Sequence, residues 1–527
     1  MLRERAVAAF DQASAALGDD PAAEPVRALL REQRGRLLAT LRVALVGRVS
    51  SGKSTLANAL LGGHRVATGA TELTYNVNWL RYGDEPQILV HFLDGRPVQR
   101  HELADLERMT VSARHDPAHQ DFLSRIDYIE VHDSNPRLLD FDLIDTPGLD
   151  SHFRADSANT LRFLGRTGDE VRAATVAQAS QADALVLVFA RGLARGEAEL
   201  MADFRGAALA AVTPITAIGA LTKVELYWPE HDPMDEGRRV ADKLMRAAGA
   251  RRLLFDLRPI ASLVAAGAST LTDAEFADLT ALARLPPGVL AERVRLGPLF
   301  ATKEQADLPV PAARRQALFS RLGGYGIVLS CGLVRDGVDR LAVLGAELAE
   351  RSGLAAFREL LTGHFGNRAD LIKLRRAMTV LQEQQELMRP ALPPRARLRA
   401  DDAAAEVTRM GFAEHAFEEL TVLQRYYDGQ LEFGDGEAAE LLRITGEHGT
   451  TPAARLGQPA SASAEALRAR ARERFAYWAA YTVDPSHGGP TRRAAQTVQR
   501  SYELLIGEIA AGPAGQRRDP RPAAGAA

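Results

Sequence analysis

The chain has 527 residues, a net charge of −3 and one cysteine. That length exceeds one compact core and predicts two or three domains. The near-neutral charge excludes a global pull toward nucleic acid or acidic lipid and leaves only local patches, while a single cysteine excludes a disulfide framework and favours a reducing compartment.

The first residues, "MLRERAVAAFDQASAALGDD", carry charge from the first turn and lack an apolar core segment, so they do not read as a signal peptide. No stretch reads as the roughly 20 apolar residues that span a bilayer, and the predicted location is cytoplasmic. Residues 1–40 hold two amphipathic stripes: Leu2, Ala6, Phe10, Ala13 and Leu17, then Val26, Leu29, Leu30, Gln33 and Leu37. "GDDP" separates them.

Over 41–270 the pattern is α/β. Short β-branched runs, "RVALVG", "QILVHFL", "YIEVHD", "FDLIDT", "ALVLVF", "PITAIGAL" and "LRPIAS", alternate with helical ones. Over 271–510 the strands cease and helical patterns follow. One runs long from Leu354 to Leu387, and the last aligns Ala495, Val498, Tyr502, Leu505 and Ile509 on one face. Cys331, inside "GIVLSCGLV", reads as a buried inert thiol on a short bundle-core helix. The segment 511–527 is low in complexity and reads as disordered. Helices on both sides of the α/β part predict one bundle formed by the N- and C-terminal helices.

"VALVGRVSSGKSTLANALLGG", residues 43–63, carries Gly47, four residues, then Gly52-Lys53-Ser54, between a strand pattern and a helix pattern. This is the P-loop spacing in its required context. Glycines let backbone N–H groups curl round a phosphate, the helix N-terminus adds a favourable dipole, and Lys53 neutralises charge between β- and γ-phosphates. Ser54 would hold Mg²⁺, and Ser50, Ser51 and Thr55 complete the nucleotide-binding turn. The chain has five lysines against sixty arginines, so a lysine at this place speaks for a specific need for an ammonium group.

Which nucleotide the turn would hold depends on further landmarks downstream. "FDLIDTPG" ends a strand at Asp145, which can hold a Mg²⁺-bound water, and the Gly148 amide can meet the γ-phosphate. Thr74, with Thr71 as a rival, precedes a strand and can close over the metal. "AIGALTKVELYW" places Thr222, Lys223 and Glu225 at a strand's C-terminal end, where ligands bind in doubly wound sheets. The Glu225 carboxylate can accept from guanine N1 and N2, and the Lys223 stem can pack on the base. Ser262 or neighbouring amides can meet guanine O6.

Over residues 43–265 these motifs resemble the dynamin superfamily of large GTPases. "ATELTYNVNWLRYG", "RLGGYGIVLSCGLVRDG" and "SGLAAFRELLTGHFGNRADLIKLRRAM" are similar to actinobacterial relatives of the isoniazid-inducible dynamin-like GTPases. The resemblance implies a P-loop GTPase domain with a doubly wound, mostly parallel sheet and a fused all-α bundle. It implies a Mg²⁺-dependent enzyme turning GTP into GDP and phosphate, self-associating as a homodimer or larger assembly, and acting on a membrane. By position, Ser50 falls on the serine that helps place a K⁺ or Na⁺ ion, and Thr74 on the switch threonine that orients water. Lys53, Ser54, Asp145 and Gly148 take the family's usual roles.

Three positions depart from the family pattern or limit the chemistry. Val49 replaces a polar glutamine, and Glu225 replaces an aspartate, lengthening the carboxylate by one methylene. Leu149 cannot orient water as the glutamine of Ras-like GTPases does, which predicts slow basal turnover raised by a partner surface. Arg48 reads first as a solvated arginine and second as a finger reaching across a dimer.

"LMRPALPPRARLR", residues 387–399, joins two helical patterns with Arg389, Arg395, Arg397 and Arg399 and no acid. It is either a proline-stiffened connection or a tip for anionic lipid, at on the order of 1 kcal/mol per basic residue near the surface. No aromatic-basic interleaving points to nucleic acid. A nucleotide-switched scaffold that binds a protein partner is the alternative function.

Overall fold

A computed structural model describes residues 2–48, 50–63, 77–106, 125–146, 181–190, 212–246 and 248–511, with positions 66, 109, 122 and 123 between them. The chain divides into two compact units, Thr40–Thr362 and Met1–Ala39 with Gly363–Ala527.

In the first unit the described residues form a nine-stranded sheet. The strands are β1 (Leu41–Gly47), β2 (Val77–Tyr82), β3 (Gln87–Phe92), β4 (Gln99–His101), β5 (Ile126–Asp133), β6 (Phe141–Asp145), β7 (Ala184–Ala190), β8 (Ala217–Thr222) and β9 (Leu257–Pro259). Their spatial order is β4-β3-β5-β2-β6-β1-β7-β8-β9. From β6 to β9 all neighbours run parallel. The "LRVALVG" of β1 is almost wholly buried, as a parallel strand covered on both faces requires. On the other side β2 turns antiparallel to β6, and β3 is antiparallel to both β5 and β4. Sequence order reverses around β1, so the crevice at the strand carboxyl ends opens beside Gly47.

The expected boundary at 270 is not where this unit ends. One apolar cluster continues from Leu187 and Leu221 through Val264 and Leu279 to Leu322, Ile327 and Leu348. The helices between 270 and 362 therefore complete the sheet's own core instead of joining the bundle. The segment around Cys331 is also longer than expected. It belongs to the helix Ala312–Arg335, which by length and composition alone suffices to cross a membrane. Gly323, at φ 65°, breaks that helix, and its buried Arg315 donates to the carbonyls of Phe300 (2.8 Å), Lys303 (2.5 Å) and Val310. Burial pushes the Cys331 thiol up to about 12, and its Sγ lies 3.4 Å from the Leu279 carbonyl.

The second unit is all helical. Helices α1 (Leu2–Ala16) and α2 (Glu24–Leu38) share a core with the helices Ala369–Met388 and Pro394–Ala413. Phe10, Leu17, Leu30 and Leu37 meet Leu374, Leu381, Ala400 and Val407 there, so N- and C-terminal segments do build one bundle. Lys373 is buried and donates from Nζ to the carbonyls of Leu37 (2.9 Å) and Ala39 (2.8 Å), closing the end of α2.

The long helix expected over 354–387 is interrupted. Leu354–Leu360 and Ala369–Met388 are α-helical, with a π turn at Leu361–Phe365 and a 3₁₀ turn at Gly366–Arg368 between them. Gly363 and Gly366 weaken helix propensity at that point. Arg368 donates from Nη1 to Glu447 at 2.8 Å, an ion pair buried within the second unit. The last helix, Gly489–Ala511, buries Ala495, Val498, Tyr502, Leu505 and Ile509 as its stripe predicts. Residues 512–527 of the tail lie outside the described residues.

Candidate functional site

The site starts where β1 stops. A Cβ on Gly47 would lie 2.4 Å from the Val188 carbonyl oxygen of the neighbouring β7, an approach only glycine permits. The chain then turns through Ser50 (φ 58°) and Gly52 (φ 93°) into helix α3, Lys53–Leu61. Lys53, 6% exposed, folds back over the turn and donates from Nζ to the carbonyls of Gly47 (3.1 Å) and Arg48 (2.9 Å). Thr55 is half-buried on the first turn of α3, Ser51 is buried, and Ser50 is exposed.

Asp145 ends β6 and pairs in register with Leu45 of β1, which sets it beside the first turn of α3. Its Oδ2 accepts from the Ser54 hydroxyl at 2.8 Å. Its Oδ1 is buried and, among the described residues, has no hydrogen-bond partner. Burial pushes the Asp145 carboxyl up to about 6, against the opposing pull of the Lys53 charge and the Ser54 hydrogen bond. A carboxylate held this way, with one oxygen unsatisfied, is suited to a cation. The next residue, Thr146, donates to the Leu45 carbonyl at 2.7 Å and fastens the end of β6 to β1.

The third component comes from β8. Thr222 pairs in register with Ala190, and its hydroxyl lies between two carbonyls, Phe189 at 2.9 Å and Ser51 of the phosphate turn. Lys223 follows at φ 59°, a left-handed turn that sends the chain into a 3₁₀ segment, Val224–Tyr227. Glu225 on that segment is buried, and its Oε1 accepts from the Leu263 amide at 3.1 Å. Its Oε2 is buried, with no hydrogen-bond partner among the described residues. Burial pushes Glu225 up to about 6, against backbone amides at Glu225, Leu263 and Ser262 and the Lys223 charge. Ser262 opens the helix Ser262–Ala268, and its Oγ is 3.7 Å from where a Gly52 Cβ would stand; the Thr222 Oγ1 is 3.3 Å from the same point.

Gly47, Gly52, Lys53, Ser54, Asp145, Thr222, Glu225 and Ser262 are thus brought together from four separated stretches. Thr71, Thr74 and Gly148, like Val49 and Leu149, lie outside the described residues. Among the buried polar residues that escaped the sequence reading, one stands on the helix that follows the turn. Asn58 of α3 brackets Val66 with both ends of its amide, donating to the carbonyl at 2.7 Å and accepting from the N–H at 2.9 Å. A polar residue in the apolar stretch "LANALL" was the available signal.

Comparison with known proteins adds an independent line. Residues 43–193 match the model of the dynamin family. The isoniazid-induced protein IniC of Mycobacterium tuberculosis is 31% identical over 489 residues, spanning 90% of this chain and 92% of the relative. Dynamin-like protein 2 of Campylobacter jejuni is 28% identical over 124 residues, 24% of this chain and 19% of its own. A solved structure of an oligomerised bacterial dynamin pair aligns with 92% of this chain and 86% of its own at 13% identity and a TM-score of 0.30. With a phosphate turn, a sheet of the matching α/β class and a relative aligned along nearly its whole length, the chain belongs to the dynamin family, and it is a GTPase.

Proposed function

We propose that the chain is a Mg²⁺-dependent dynamin-like GTPase that self-associates through its GTPase domain and acts on the cytoplasmic face of a membrane. The observation that carries the nucleotide part is the convergence of Lys53, Ser54, Asp145 and Glu225 at the carboxyl ends of β1, β6 and β8. In this reading Lys53 and the amides of Gly47, Ser50, Ser51, Gly52 and Thr55 hold the phosphates. Ser54 and Asp145, with Thr74, hold Mg²⁺, which supplies charge neutralisation on the phosphate oxygens. The orphaned Oδ1 of Asp145 fits that assignment. Ser50, exposed on the turn, faces a K⁺ or Na⁺ ion, and Thr74 and Gly148 respond to the γ-phosphate. Thr222, Lys223, Glu225 and Ser262 form the base subsite. The domain scheme that goes with this reading runs from N-terminal bundle helices through a GTPase unit that extends to Thr362, and from there to a helical stalk.

Glu225 is proposed to read guanine, which requires its carboxylate form. Because burial pushes its carboxyl up to about 6, the ratio of GDP to ADP affinity is expected to rise as pH increases through about 6. The ratio cancels the titration of the phosphates themselves. The same shift acts oppositely on the ligand-free fold: the folded state holds the proton more tightly than the unfolded one, so Glu225's contribution to stability falls as pH rises from 4.5 to about 6. Glu225→Gln is expected to flatten the pH profile and to cut the GDP preference by about 10-fold or more, measured by competition against a fluorescent guanine nucleotide.

The membrane part rests on the tip at 387–399. Leu387 and Leu398 are 72% and 64% exposed there, beside the exposed Arg395. A second reading, the scaffold that binds a protein partner, is favoured by what the other arginines do. Arg389 pairs with Asp401 at 3.3 Å, Arg397 donates to the Leu392 carbonyl at 3.2 Å, and Arg399 reaches the Leu17 carbonyl at 3.4 Å. Phosphate release measured against protein concentration, with and without anionic liposomes, separates the two. Turnover per molecule that climbs with concentration and again with liposomes supports membrane-coupled assembly. Turnover flat in both, or liposome stimulation that survives Arg→Glu changes at all four tip arginines, rejects the assigned role of the tip.

A further inference from the structure

A cavity of about 630 Å³ lies within the sheet unit, and one of its lining residues, Arg358, is bonded to the carboxyl end of α3. That size lies within the range of small-molecule sites. Its walls come from the helix Ser262–Ala268 and the helices Leu341–Arg351 and Leu354–Leu360. They are aliphatic and mostly small, with Ala265, Ala268, Leu341, Ala346 and Leu354 among them, and no aromatic ring lines the cavity among the described residues. Gly345 lets the first two helices close on each other, since a Cβ there would meet the Ala268 carbonyl oxygen at 2.6 Å.

Two guanidinium groups, Arg137 and Arg358, line the same cavity, with Asp273 as its one carboxylate. Arg358 donates from Nη2 to the carbonyls of Ala59 (2.5 Å) and Leu60 (2.8 Å), which anchors it on the last turn of α3. Its Nε is buried and has no hydrogen-bond partner among the described residues. Arg137 lies against Gly62, where a Cβ would be 1.6 Å from its Nη1. Among the described residues its guanidinium makes no hydrogen bond or ion pair, and neither arginine pairs with Asp273. Burial and the charge of Arg137 bring the Arg358 guanidinium down to about 10, so each cation raises the cost of the other. An anion seated between them would offset that repulsion. Forked N–H donors match the oxygens of a carboxylate or a phosphate, and small aliphatic walls offer room for a hydrocarbon chain but no stacking for a base.

We propose that this cavity binds an aliphatic anion, an alkyl chain ending in a carboxylate or phosphate, with the headgroup between Arg137 and Arg358 and the chain along the wall of Ala268, Leu341 and Ala346. Such a ligand comes either from solution, as a free alkyl acid or phosphate, or from a lipid whose chain leaves the bilayer.

Calorimetric titration of the full chain with monomeric dodecyl phosphate tests the site. Saturable one-to-one binding is expected, weakened at least about tenfold by Arg137→Gln. Ala346→Trp is expected to do the same by filling the cavity from an exposed helical position, leaving both arginines and the Arg358 bonds to α3 in place. A melting temperature equal to wild type establishes that each variant is folded. Absence of dodecyl phosphate binding to the wild type overturns the proposal, as does an affinity unchanged in both variants. Inorganic phosphate binding as tightly as dodecyl phosphate overturns the aliphatic part. Displacement of dodecyl phosphate by phosphatidic acid vesicles assigns the ligand to a bilayer, and resistance to displacement assigns it to a free amphiphile.

Discussion

Lys53→Ala is expected to lower single-turnover phosphate release from GTP by about 10²–10³-fold, the usual cost of removing one charge-stabilising donor from a transition state. The structure argues for two separable losses. One is chemical, because the Lys53 ammonium is the cation proposed to neutralise the β- and γ-phosphates. The other is conformational, because Nζ holds the Gly47 and Arg48 carbonyls at 3.1 and 2.9 Å and so helps shape the turn before any nucleotide arrives. Lys53→Arg separates them. Arginine restores a positive charge but places a planar fork where a buried point charge stands, so turnover is expected to stay low despite the charge. Wild-type turnover in Lys53→Ala would sink the assignment of the phosphate site.

Asp145→Asn is expected to remove the Mg²⁺ dependence of nucleotide binding while leaving the ligand-free protein at least as resistant to heat as the wild type. The two outcomes have one cause. A fully buried carboxylate costs stability until a cation arrives, and its upward shift to about 6 records that cost. An amide keeps the shape and can still accept from Ser54, but it offers no charge to a metal. Titrating GDP with and without Mg²⁺, alongside thermal melts of the ligand-free protein, reads both effects. A lower melting temperature combined with intact Mg²⁺ dependence would mean that Asp145 serves the fold alone.

Much of the fold was legible because its signals are short-range. The β-branched runs of β1, β6, β7 and β8 and the P-loop spacing are set by a few adjacent residues, and they fell where the patterns put them. The scarcity of lysine also proved informative at two buried positions: Lys53 folds over the phosphate turn, and Lys373 closes α2. Lys243 and Lys303, by contrast, are simply exposed. What escaped depends on partners far away in sequence. Nothing in helical periodicity says whether a stripe will meet a sheet or another helix, and so the segment 271–362 was assigned to the wrong side of a boundary. The 354–387 pattern kept its period through a π turn because periodicity does not register a lost i to i+4 bond. The strand β4, three residues long with two of them exposed, carries no apolar alternation to notice. In the tip, four arginines without an acid in the stretch looked unopposed, yet Asp401 stands two residues beyond its end.

The hydroxyl of Thr222 has a reach beyond its size. By lying between the Phe189 and Ser51 carbonyls it joins the strand that leads to Glu225 directly to the loop that leads to Lys53. On the proposed assignment this sets a fixed spacing between the two ends of the ligand, and the site works as a ruler. Guanosine alone or pyrophosphate alone would occupy one end and gain only local contacts. Joined in one molecule of the right length, each half presents the other at a high effective concentration, so discrimination for the whole nucleotide exceeds what either half earns by itself.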